Sequence, residues 1–129
     1  MSARRRSQDG AAVVDFVLVM VVLVPLLLGI LQVGLVLHVR NTLAAAASAG
    51  ARYAATFDRG PTDGAAKTTQ LIDGVLAERF ADQVSAAQTE VDGYPGVVVV
   101  VQADVPALGM WGPSVHLEVA GHAVEEAPP

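Results

Sequence analysis

The chain contains no cysteine, which excludes disulfides, thiolate metal sites and a cysteine nucleophile. Aromatic residues make up only 5 % of it against 53 % hydrophobic residues overall. Much of the apolar content is therefore Ala and Val, which fill helices and strands without walling a large pocket, so a roomy enzyme cavity is not expected. Positive charge is also scarce, with 8 Lys and Arg against 13 Asp and Glu. An acidic chain of this kind does not offer the clustered cations that nucleic acid requires. The motifs HExxH and the phosphate-binding glycine loop are both missing, as is any distinctive Ser-His-Asp spacing, and no catalytic set or cofactor is expected.

What is present is one long hydrophobic run. Between Phe16 and Leu37 the only polar side chain is Gln32. As a helix this stretch reaches ~33 Å, enough to cross the hydrocarbon core of a bilayer. Arg4, Arg5 and Arg6 precede it and acids dominate after residue 57. This asymmetry predicts a single-pass protein of the cytoplasmic membrane, N-terminus inside and acidic domain outside. A secretory signal peptide fits less well, because its apolar core is shorter and small residues should stand where His38 and Arg40 do. A twin-arginine signal fits poorly too, since Ser-Gln-Asp follows Arg5-Arg6. A plain, unprocessed anchor with an outward interaction domain accounts for the run but gives no role to Gly10 or Asp15.

The head of the run resembles a type IV prepilin: a basic leader, Gly10, four residues, the acid Asp15, Phe16 and a long apolar helix. Beyond the span come Arg40, Asn41, Leu43, then Gly50, Ala51, Arg52, Tyr53, Ala54 and Ala55, with Pro25, Gly29 and Gly34 inside the helix. Head and extension together resemble the TadE-like minor pseudopilins of tight-adherence (Flp-type) pilus systems. The resemblance implies cleavage between Gly10 and Ala11 by a prepilin peptidase, an aspartyl protease of the membrane. It implies a pilin-like subunit that assists pilus assembly beside other Tad pilins and the assembly machinery, a peptidase substrate and not an enzyme. Asp15 and Phe16 would set the register of assembly, and Arg40, Asn41, Gly50, Arg52 and Tyr53 would belong to the packing extension. The family places glutamate where this chain has Asp15, which keeps the charge but shortens its reach by one methylene.

The chemistry of such a cut is coherent on its own terms. Removing residues 1–10 takes away three arginines and one aspartate, two positive charges net, and moves the chain from −5 to −7. The new α-amino group of Ala11 stands four residues before Asp15, on the same helix face. Within a low-dielectric bundle that pair, or its equivalent between subunits, would fix axial register, because misregister strands a charge.

The expected architecture is α+β: a long N-terminal transmembrane helix running into a small pilin-like domain with a second helix and a short antiparallel sheet. The expected divisions are a leader at 1–10, the long helix at 11–57, an extracytoplasmic domain at 58–125 and a tail at 126–129. Pro25 is expected to kink the first helix. The turn formers Asp58–Gly64 end it, and Thr62 or Asp63 is expected to cap a second helix over about 64–84, with Leu71, Ile72, Val75, Leu76, Phe80 and Val84 on one face. Strands are expected at Ala87–Val91 and Val97–Val105, joined by a turn at Gly93–Gly96, the five-valine run being buried on both faces or covered by a partner. Residues 106–113 form a loop displaying Met110 and Trp111. The last strand, Ser114–Val124, alternates, with Val115, Leu117, Val119 and Ala123 inward and His116, Glu118 and His122 outward. A metal hydrolase built on His116 and His122 is the enzymatic rival, and a solvated strand face is preferred to it.

Overall fold

A run of apolar and Ala residues with no internal Asp or Glu between Phe16 and Ala54 has little to interrupt a helix, and α1 indeed extends over Ser2–Ala54. The structure, a computed structural model, describes residues 2–76, 83–108 and 114–128. The helix passes through Pro25. It stops three residues short of the expected end at residue 57, where Thr56 turns its hydroxyl back onto the Tyr53 carbonyl.

Gly60 forms the N-cap of α2, Pro61–Val75. Lacking a side chain, it cannot cap the helix itself. Asp63, in the third helical position, returns its carboxylate to the Gly60 N–H at 2.9 Å, and Pro61 supplies a first helical residue with no N–H to satisfy. The expected cap at Thr62 or Asp63 therefore lies two to three residues too late. The far end is corrected as well. Leu76 is already extended, with its N–H held by the Ile72 carbonyl at 2.7 Å, and Val84 belongs to a strand. Phe80 lies outside the described residues.

The sheet is an antiparallel meander of β1, Gln83–Val91, β2, Tyr94–Val105, and β3, Val115–Val124, in the order β1-β2-β3. The β1–β2 hairpin turns at Asp92 and Gly93, both with positive φ (52° and 83°), the requirement of a two-residue type I′ turn. Tyr94 pairs with Val91 and Gly96 with Thr89, so residues 94–96 are strand and the expected turn moves back by two. The five-valine run splits by the strand period: Val97, Val99 and Val101 are buried and Val98 and Val100 half-buried. That corrects burial on both faces. On β3, Leu117 and Val119 point inward and Ala123 is half-buried, whereas Val115, at the strand's start, is exposed.

The core lies between the distal half of α1 and the inner face of the sheet. Val39, Leu43, Ala46, Ala47, Ala51 and Ala54 recur at three- and four-residue steps and are buried against Val97, Val99, Val101, Val105 and Val119. Ile72 of α2 joins them. Small residues let the backbones approach closely: a Cβ on Gly64 would lie 2.6 Å from the Ala54 Cβ and 2.8 Å from the Gly50 carbonyl oxygen. Thr68, wholly buried, sits at the same crossing and directs its hydroxyl to the carbonyls of Gly64 (2.9 Å) and Ala46 (3.4 Å). Thr68→Val removes this link between the helices and should cost about 1 kcal/mol. The thermal midpoint of the detergent-solubilised chain should then fall by several degrees.

Candidate functional site

The residues of interest lie along α1, so its exposure decides what each can reach. From Arg5 to Leu31 every residue except the half-buried Met20 is exposed. Val22 is 70 % and Ile30 62 % exposed. Among the described residues one helix is long and apolar enough to cross a membrane, and its most apolar window is entirely unburied. A bare apolar cylinder of this length fits a membrane protein with a single candidate span near its N-terminus.

The head sits at the start of this cylinder. Gly10 is exposed within the helix, and a Cβ added there would meet nothing within 4 Å. Ala11, Asp15 and Phe16 are exposed too, with Ala11 and Asp15 one helical turn apart. Among the described residues Asp15 has no hydrogen-bond or ion-pair partner. The helical path through Gly10 costs about 1 kcal/mol relative to Ala, which leaves this peptide among the easier ones in the helix to straighten.

The extension residues divide. Gly50 is buried at the crossing with α2, where a Cβ would press on the Thr68 side chain and lie 2.7 Å from the Gly64 carbonyl oxygen. Tyr53 is half-buried, with the Arg59 guanidinium 3.8 Å and the Lys67 ammonium 5.6 Å from its ring centroid. Each cation is attracted by the ring face, and together they tie the α1–α2 connection to the end of α1. Arg40, Asn41 and Arg52 are exposed. Asn41 borders an open apolar groove of about 450 Å³ between the helices, with His38, Thr42, Ala49, Leu71 and Val75.

Two further features stand apart from the head and extension. Gln32 closes on the chain after β2: its Nε2 donates to the Pro106 carbonyl at 3.2 Å and its Oε1 accepts the Leu108 N–H at 2.7 Å. From the sequence alone Gln32 either hydrogen-bonds to a partner helix or is merely tolerated in the apolar run. A lone amide in an apolar run is the signal that it has a use, but the user lies more than seventy residues away. Met110 and Trp111 lie outside the described residues. The outward trio on β3 does not converge. His116 and His122 are six residues apart along a strand, ~20 Å, too far for one ion, and His116 Nδ1 faces Asp104 Oδ1 at 2.8 Å. Among the described residues no group of three His, Asp or Glu stands close enough to hold a metal.

No curated protein and no solved structure matches the chain. The family model described as TadE-like protein matches residues 10–52, no more than a third of the chain, from the glycine of the exposed head to the arginine of the extension, and over that segment the chain is similar to TadE-like proteins.

Proposed function

We propose that this chain is a pilin-like subunit of a tight-adherence pilus system, cut after Gly10 by a prepilin peptidase and acting in assembly, not a catalyst. The observation that carries this reading is the family match over residues 10–52, which runs from the Gly10–Phe16 head through the extension as far as Arg52 on one uninterrupted helix. Exposure of Gly10, Ala11, Asp15 and Phe16 supports it, since a peptidase and neighbouring subunits both need the head uncovered. Its expected partners are that peptidase, other Tad pilins and the assembly machinery in the cytoplasmic membrane, with Arg4–Arg6 on the cytoplasmic side. The working parts are then a recognition head, a span and a small domain that sits on the span's outer end.

Intact mass or N-terminal sequencing after co-expression with an active prepilin peptidase tests the reading. The chain should begin at Ala11. A chain that still carries Arg4–Arg6 beside a peptidase shown to cut another prepilin would favour the plain anchor instead.

A further inference from the structure

We infer that the Gln32 clamp holds the segment Pro106–Leu108 against the outer surface of the bilayer, making it a lipid-contacting foot of the domain. The inference rests on the reading that α1 crosses the membrane. On the side of α1 facing the domain, the bare helix ends at Leu31, and from Gln32 onward Leu35, Val36 and Val39 are covered. The exposed segment from residue 11 to residue 31 is ~31 Å long, about the thickness of the hydrocarbon core. On the opposite side the apolar surface continues, with Val33 60 % and Leu37 53 % exposed, before the exposed polar residues His38 and Arg40. The outer boundary of the bilayer thus falls between residues 31 and 37. Pro106–Leu108 is fastened at the level of residue 32, so it meets lipid wherever in that interval the boundary lies.

The chemistry of the segment suits that position. Its side chains are Pro, Ala and Leu, with Leu108 39 % exposed. Backbone groups near hydrocarbon must be satisfied within the protein. Pro106 has no N–H to satisfy, and its carbonyl and the Leu108 N–H are both taken by Gln32. The exchange is mutual, since the same two bonds engage the only polar side chain between Phe16 and Leu37. One step up the strands, Asp104 and His116 face each other at 2.8 Å. Further acids collect at the other end of the domain. Glu90 stands just before the β1–β2 turn and Asp92 within it, and Glu126 is anchored by its N–H to the Ala55 carbonyl at 2.8 Å. That anchor is ~35 Å along α1 from Gln32. The domain is apolar where it meets the span and acidic where it leaves it.

The absence of cysteine permits single-cysteine labelling of the full chain in vesicles of phosphatidylcholine and phosphatidylglycerol. An environment-sensitive fluorophore at Ala107→Cys should emit to the blue and lose emission when lipids carry a nitroxide near the headgroup. The same label at Glu90→Cys should do neither. Adding Gln32→Leu to Ala107→Cys should shift the emission back to the red and reduce the quenching. If Ala107→Cys behaves as Glu90→Cys does, or if quenching survives Gln32→Leu, the inference is overturned. A label at Leu23→Cys separates the two readings: when it is lipid-quenched, the span stands and only the foot fails. A water-exposed label at Leu23→Cys overturns the span and the foot together.

Discussion

Gly121→Val should lift α1 off the sheet while leaving α1 itself helical. Gly121 pairs with Val99 across the β2–β3 ladder and lies directly beneath α1. A Cβ placed there would run into the backbone of Ala47 and Ser48, with the Ala47 carbonyl oxygen at 2.6 Å. Flexible side chains move aside at little cost, but helix backbone does not. To make room the helix must rise or shift along the sheet, and Leu43, Ala47 and Ala51 are then the first to part from Val99, Val101 and Val119. Overpacking of this kind costs about 1–3 kcal/mol, and a domain this small has only about 5 kcal/mol or little more in hand. Hydrogen exchange of the full chain in detergent should show protection of the β2 amides falling by about ten- to a hundredfold. Exchange within the exposed apolar part of α1 should not change. Gly74→Ala is the matched control. Nothing lies within 4 Å of a Cβ there, so it should stabilise α2 by about 0.5–1 kcal/mol. Unchanged β2 protection in Gly121→Val would mean that helix and sheet are not as closely seated as their geometry states.

Gly121 also illustrates what the chain discloses before it is folded and what it does not. The long apolar helix, a candidate span, is legible because hydrophobicity and local spacing define it. The outward and inward sets of β3 are legible for a related reason: a strand with one buried face writes its period into the sequence. The end of α2 is not. Leu76, Phe80 and Val84 continue the helical spacing of Ile72, and only the extended backbone at Leu76 shows that the helix has stopped. Spacing by four suits helix and strand alike, so Val84 matches the expected helix face while belonging to β1. The close approaches at Gly50, Gly64 and Gly121 are hidden differently. A glycine announces room for a neighbour but not which neighbour, and each of these is met by a segment distant in sequence. Gln32 is the sharpest case. Its oddity is visible, but its partners at Pro106 and Leu108 are fixed only once β2 runs back along α1 toward its bare apolar half. Of the extension residues, Gly50 and Tyr53 are packed and Arg40, Asn41 and Arg52 exposed, a division that a linear motif does not contain.

Asp15→Asn should leave cleavage after Gly10 intact and still prevent efficient incorporation beside partner pilins. On the proposed reading, the carboxylate has no task before the cut. It is exposed and without a partner among the described residues, and the peptide bond to be cleaved is a full turn away. After the cut the Ala11 ammonium appears on the same face, four residues upstream. Surrounded by water, such a pair contributes only about 0.2–0.5 kcal/mol, too little to order anything. Inside a bundle of apolar helices the balance changes, because an ammonium left without its carboxylate costs about 3–5 kcal/mol. The head lies near the end of the span, where water and lipid headgroups offset part of that cost. A loss of about 2 kcal/mol is therefore the reasonable expectation, or about thirtyfold in incorporation relative to the native chain. Asparagine keeps shape and volume, so the comparison isolates charge. Asp15→Glu keeps charge and extends the reach by one bond, ~1.5 Å, and should incorporate at least as well as the native chain. The measurement is the ratio of assembled to free mature subunit after co-expression with peptidase and partner pilins. Incorporation of the Asn variant at the native ratio would remove Asp15 from the assembly mechanism, and failure of the Asn variant to be cleaved would move its role to peptidase recognition. Because Asn differs from the native side chain in charge and Glu in reach, the three chains together tell which of the two the bundle reads.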